Sequence, residues 1–178
     1  MLYLALFNTL PTEKLFKQLN AQLLSPESFQ PYGQVIYASI DGKPYDSTDA
    51  QLVLQNGIPR FYIMRLHHKG YKFNTLTRHV QCTQCLGSLA LKDWLIAVAP
   101  PTDDFSPVLE EIRAFQIPGN CFIKLNVGTW HAGPYFDDQF VDFYNLELSD
   151  TNINDYEIYS FRKNNNLELE IARPKGFC

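Results

Sequence analysis

Gln84-Cys-Leu-Gly-Ser-Leu-Ala90 and Trp94-Leu-Ile-Ala-Val98 stand three residues apart, separated by Leu91-Lys-Asp93. Each is too short for a stable helix and rich in aliphatic side chains, and a polar break divides them, so both are read as strands. Working outward, the same signature recurs at Val35-Ile-Tyr37, Arg60–Leu66, Lys72–Arg78, Cys121–Leu125, Gln139–Leu146, Glu157–Phe161 and Leu167–Ile171. Each run is enriched in Val, Ile, Leu, Phe or Tyr and bounded by Gly, Pro, Asn or Asp. Strands this short and numerous need a sandwich or a barrel to bury their faces and hide their edges. The fold class expected is mostly β with a few short helices.

Three segments carry helical signals. Ser25 can cap a turn with Pro26 at its first position and Phe29 on the buried side. Thr12-Glu-Lys-Leu-Phe-Lys-Gln-Leu19 follows Pro11 and spaces its leucines and phenylalanine at helical intervals, so residues 1–20 are read as an appendage on or near the barrel. In Pro107–Phe115, Val108, Ile112 and Phe115 fall on one side. Asp41–Asp49, with Gly42 and Pro44, reads as a loop. No repeat, low-complexity tract or linker appears, so residues 1–178 are expected to form a single domain.

Bulk properties narrow the function. Of the 178 residues, 46% are hydrophobic and 19% charged, which excludes disorder and allows a substantial core. A net charge of -4 and a pI near 5.5 provide no basic excess to displace counterions from nucleic acid. The apolar start Met1–Phe7 is too short to span a membrane and lacks the flank of a signal peptide, so a cytoplasmic protein with no membrane partner is expected. In that compartment Cys82, Cys85, Cys121 and Cys178 are read as free thiols. Cys82-Thr-Gln-Cys85 has metal-site spacing, but in extended chain residues three apart face opposite ways, and no second pair exists.

Four histidines could carry chemistry. His67 and His68, before Lys69-Gly70, read as a solvated strand end. His79 ends a strand after Thr77-Arg78, and His131 lies in Asn126-Val-Gly-Thr-Trp-His-Ala-Gly-Pro134, a glycine-bounded connection. Ends of barrel strands can cluster at one mouth, which would bring His79 and His131 together.

Several segments, taken in order, resemble the ureidoglycolate lyase family. They are Leu23-Leu-Ser-Pro-Glu-Ser-Phe-Gln-Pro-Tyr-Gly-Gln-Val-Ile36, Asn56-Gly-Ile-Pro-Arg-Phe61, Thr77-Arg-His-Val-Gln-Cys-Thr-Gln84, Trp94–Pro100, Gly128-Thr-Trp-His131 and Val141-Asp-Phe143. The resemblance covers roughly residues 23–157. It implies a cupin-like β-barrel, a double-stranded β-helix, acting as a homodimer that cleaves ureidoglycolate to glyoxylate and urea in allantoin and purine degradation. It also places the family's motif residues on Asn56, Arg78, His79, Gln84, Trp130, His131 and Asp142. Ala132 stands where the family usually has a second histidine, and Leu146-Glu147 where it tends to have Asp-Arg.

Elimination of urea from ureidoglycolate needs a base for the hydroxyl proton, an acid for the leaving nitrogen and a cation for the carboxylate. Histidine suits both proton roles, so His131 and His79 are the catalytic candidates. For substrate binding, Arg60 or Lys124 is favoured as the cation, because Arg78 adjoins His79 in a strand and faces the other way. Gln84, Trp130 and Asn56 are further binding candidates, and Asp142 could orient a histidine or pair with a structural arginine. Two histidines and a glutamine fall short of a catalytic zinc set, so neither metal nor cofactor is expected. Two other readings remain: a metal-dependent cupin enzyme, and a non-catalytic module that binds a small carboxylate.

Overall fold

A computed structural model describes residues 14–174. Its strands are β1 (Leu15–Leu23), β2 (Gly33–Tyr37), β3 (Pro59–His67), β4 (Lys72–Phe73), β5 (Thr75–Arg78), β6 (Gln84–Ser88) and β7 (Trp94–Ala99). They continue with β8 (Arg113–Ile117), β9 (Cys121–Leu125), β10 (Trp130–Tyr135), β11 (Phe140–Leu148), β12 (Glu157–Ser160) and β13 (Leu167–Ala172). Short helices α1 (Pro26–Phe29), α2 (Thr151–Asn154) and α3 (Phe161–Asn165) punctuate them. An eight-stranded sheet runs β12-β5-β10-β7-β8-β1-β13-β4 and a five-stranded sheet runs β2-β9-β6-β11-β3. This is the mostly-β, cupin-like architecture expected.

Two hydrophobic clusters hold it. The one between the sheets joins Trp94, Ile96, Val98 and Phe115 of the larger sheet to Leu86, Ile123, Leu125 and Phe143 of the smaller. The other lies on the opposite face of the larger sheet and contains Leu95, Ala97, Trp130, Leu169 and Phe161. β7 therefore separates the two cores: Trp94, Ile96 and Val98 point one way, Leu95, Ala97 and Ala99 the other, and all six are fully buried. That is why Trp94-Leu-Ile-Ala-Val-Ala99 carries no polar alternation.

The cap at Ser25 is present as a capping box with Ser28, and Phe29 is fully buried against Phe115. Three local expectations are corrected. Residues 15–23 are a strand, paired in parallel with both β13 and β8, so residues 15–20 belong to the sheet; residues 1–13 of the expected appendage lie outside the described residues. Within Pro107–Phe115 only Leu109–Glu111 turns, as a 3₁₀ helix, and Arg113–Ile117 is a strand between β7 and β1. The connection at His131 is itself strand β10. In each case partners distant in sequence satisfy the backbone and override local spacing.

Phe143 is fully buried and meets Trp94 edge to face at 5.3 Å. Phe143→Ala is expected to cost about 3–5 kcal/mol, read as a fall in the urea unfolding midpoint.

Candidate active site

β10 lies between β5 and β7, with His131 opposite Thr77 on one side and Val98 on the other. Because Val98 faces the core between the sheets, this register directs His131 inward. His79 follows the last residue of β5. The backbone N–H of Gly128 donates to the His79 carbonyl at 2.7 Å, tying the turn before β10 to the end of β5. Gly128 has φ +81°, a conformation that glycine adopts without steric cost. The imidazole rings meet with centroids 5.3 Å apart, and both residues are buried.

Backbone carbonyls hold both rings. His79 Nδ1 faces the carbonyl of Asp155, and His131 Nδ1 faces that of Thr129 at 3.1 Å. A carbonyl only accepts, so each Nδ1 carries a hydrogen. Thr77 Oγ1 lies 3.4 Å from His131 Nε2. The Asp155 carboxylate receives the backbone N–H groups of Val80 and Gln81 at 2.6 and 2.9 Å, which holds the segment after His79. Burial first, then the proximity of His79, pushes the pKa of His131 down to about 3. The ring is neutral at physiological pH and presents an acceptor.

His131 opens on a polar cavity of about 140 Å³, lined also by Lys69, Thr75, Thr77, Gly133 and Tyr156. Ala132 is a further wall residue, so the position of the family's second histidine contributes only a methyl group. Gly133, at φ +139°, holds a backbone conformation strained for any side chain, and a Cβ there would press on the Leu95 carbonyl oxygen at 3.1 Å. Wider clefts of about 370 and 650 Å³ run along the outside of the five-stranded sheet near Tyr37 and Ser39, but neither is lined by a histidine, lysine or arginine of the described residues.

The other sequence-derived residues divide into distinct environments. Gln84 faces the barrel interior in a buried network: its Nε2 donates to Glu147 at 2.9 Å and to Asn145 at 3.2 Å. Glu147 also accepts from Tyr62 and Asn152, each at 3.2 Å. Gln84 Oε1 is buried with no partner among the described residues. Trp130 packs in the second core and donates to Thr102 at 3.0 Å. Arg78 does point away from His131: it pairs with Glu157 at 2.7 Å and stacks on Trp130.

The remaining candidates lie away from the cavity. Arg60 is exposed, its guanidinium 3.7 Å above the Tyr62 ring. Lys124 is opposite Cys85 on the sheet face turned away from Gln84, and donates to Asn126 at 2.7 Å. Asn56 is exposed and donates to the Gln81 carbonyl at 2.7 Å. Asp142 orients no histidine; it makes a bidentate pair with Arg65, both contacts 2.8 Å. Arg65 was missed because only the β3–β11 register shows that it is opposite Asp142. Lys69 was missed too, absorbed in sequence into a solvated strand end beside His67 and His68.

Cys82, Cys85 and Cys121 are free thiols, while Cys178 lies outside the described residues. Cys85 is half-buried on the outer face of the five-stranded sheet rather than in the core, and desolvation there raises its pKa to about 11. Among the described residues no group of three or more His, Cys, Asp or Glu side chains could hold a metal ion. None of their helices is long and apolar enough to cross a membrane.

The barrel thus sets two buried imidazoles side by side, and one of them, His131, opens on a small polar cavity. The sequence profile of the ureidoglycolate lyase family matches residues 42–168, and the chain belongs to that family. Solved structures of Bacillus subtilis oxalate decarboxylase, including one determined at pH 4.6 and one concerning its Mn(II) centers, are similar at 14% identity and a TM-score of 0.40. They align over 74% of this chain, which spans only 28–29% of theirs, a likeness too remote to transfer any chemistry. No curated protein matches the chain.

The buried His131 makes stability depend on pH. The unfolded chain takes up this proton near pH 6.5 and the folded chain only near 3, so its contribution is complete above 6.5 and declines as pH falls. Between pH 7 and pH 5 the wild type is expected to lose up to about 2 kcal/mol more than His131→Asn, measured by urea unfolding at each pH.

Proposed function

We propose that this protein cleaves ureidoglycolate to glyoxylate and urea, in the cytoplasm and as a homodimer, without a metal or other cofactor in the reaction. The observation that carries the reading is the buried imidazole pair: His131, neutral and open on a small polar cavity, with the His79 ring 5.3 Å from it and each ring held through Nδ1 by a backbone carbonyl. In the elimination, a histidine Nε2 takes the proton of the substrate hydroxyl. The electrons left on oxygen form the C=O of glyoxylate, and the C–N bond breaks. The leaving ureido nitrogen recovers a proton from the imidazolium, so none is gained or lost overall. The low basicity of buried His131 favours rapid return of that proton over a long-lived imidazolium.

Burial of Gln84 with an open amide oxygen supports a place for it facing the ureido group, whose N–H groups need acceptors. Dimerisation is supported by the outer face of the five-stranded sheet. There Phe61 and Ile63 are exposed, and the Phe61, Tyr144 and Phe122 rings stack in series at 5.8 Å.

Incubation with ureidoglycolate is expected to yield glyoxylate and urea in equal amounts with no ammonia. Ammonia appearing in step with glyoxylate identifies an amidohydrolase instead, and the absence of turnover favours a carboxylate-binding module. His131→Asn is expected to lower kcat by about 10²- to 10⁴-fold while Tm at neutral pH holds. Unchanged turnover in this variant makes His131 a packing residue.

A further inference from the structure

Among the described residues, Lys69 is the one lysine or arginine that lines the His131 cavity. Its position is held from both sides. His68 Nδ1 meets the Phe136 carbonyl at 2.6 Å and the His68 backbone N–H donates to the Gln139 carbonyl, while the Tyr71 hydroxyl donates to Asp137 at 2.8 Å. The ammonium lies 4.8 Å from the centroid of the buried Tyr135 ring. Its charge is felt at His131, where it helps to keep the ring neutral.

The neighbouring charges are already matched. Arg173 pairs with Asp137 at 2.9 Å, Arg78 with Glu157 and Arg65 with Asp142. Lys69 is exposed at the rim of the cavity and makes no ion pair or hydrogen bond among the described residues, and partial desolvation of its ammonium lowers its pKa. An unmatched cation beside a cavity rich in hydroxyl groups is what an anionic ligand requires.

We infer that Lys69 binds the carboxylate of a small α-hydroxy monocarboxylate, whose hydroxyl then meets His131 and whose orientation is read by the hydroxyls of Thr75, Thr77 and Tyr156. This assigns the carboxylate subsite to a residue of the loop after β3, in place of Arg60 or Lys124. It rests on the lyase reading for the reaction but not for the binding.

Glycolate, which has the hydroxyl and carboxylate but no ureido leaving group, is the probe, with neutral glycolamide as control. Calorimetric titration of the wild type is expected to show glycolate binding that weakens with added salt. Lys69→Met should weaken it about 10- to 100-fold, whereas Lys69→Arg keeps it within about threefold. Glycolamide affinity should be the same in all three. With ureidoglycolate, Lys69→Met should raise KM far more than it lowers kcat. Glycolate binding that is absent in the wild type, or equal in Lys69→Met, overturns the assignment even if ureidoglycolate is turned over normally. Lys69-dependent glycolate binding in a protein that does not turn over ureidoglycolate upholds the assignment and removes the lyase reading.

Discussion

Strand β7 is packed on both faces, and the register of its neighbours follows from that constraint. A one-residue slip against β10 would move His131 from the core between the sheets to the opposite side and carry Trp130 the other way. The slip would also separate Arg78 from the indole on which it stacks and expose the Arg78–Glu157 pair to rearrangement. Aliphatic packing around Trp94–Ala99 thus determines where an imidazole can stand. The chemistry of the site depends on a strand that contributes no reactive group.

The polar groups inside this framework are matched so that little charge is buried without compensation. Asp155 uses its carboxylate for two backbone N–H groups and its carbonyl for His79. Glu147 is surrounded by three donors from Gln84, Tyr62 and Asn152. His131 avoids a buried charge by remaining neutral. Against this background the buried Gln84 amide oxygen has no partner among the described residues, and the exposed Lys69 ammonium at the cavity rim makes no ion pair among them.

Strands whose composition is decisive over five or six residues were legible without coordinates. Cys121–Leu125 has the bounds expected, and Trp94–Ala99 extends its expected run by one residue. The Ser25 cap was equally legible, because capping depends on residues within one turn of chain. β1 and β8 were not. Leu15, Phe16 and Leu19 fit a helical stripe as well as they fit a strand, and the choice is made by pairing Leu15–Asn20 with Leu167–Ala172 at the far end of the chain. The same limit applies to the site. His79 and His131 could be singled out by their motifs, but Lys69 carries no motif, and the choice between a histidine and an arginine partner for Asp142 was made only by its register opposite Arg65.

By itself the amino-acid sequence determined the strand-rich composition, the family, and the residues able to move protons near neutral pH. Those properties reside in side-chain chemistry and in the order of short motifs, both of which survive in an unfolded chain. Only the tertiary structure decided which of these groups share a cavity, which carbonyl holds each imidazole through Nδ1, and which cation at the cavity makes no ion pair among the described residues. Those properties depend on strand register and on burial. Each is set by the contacts of residues far apart in sequence, so no local window contains the information.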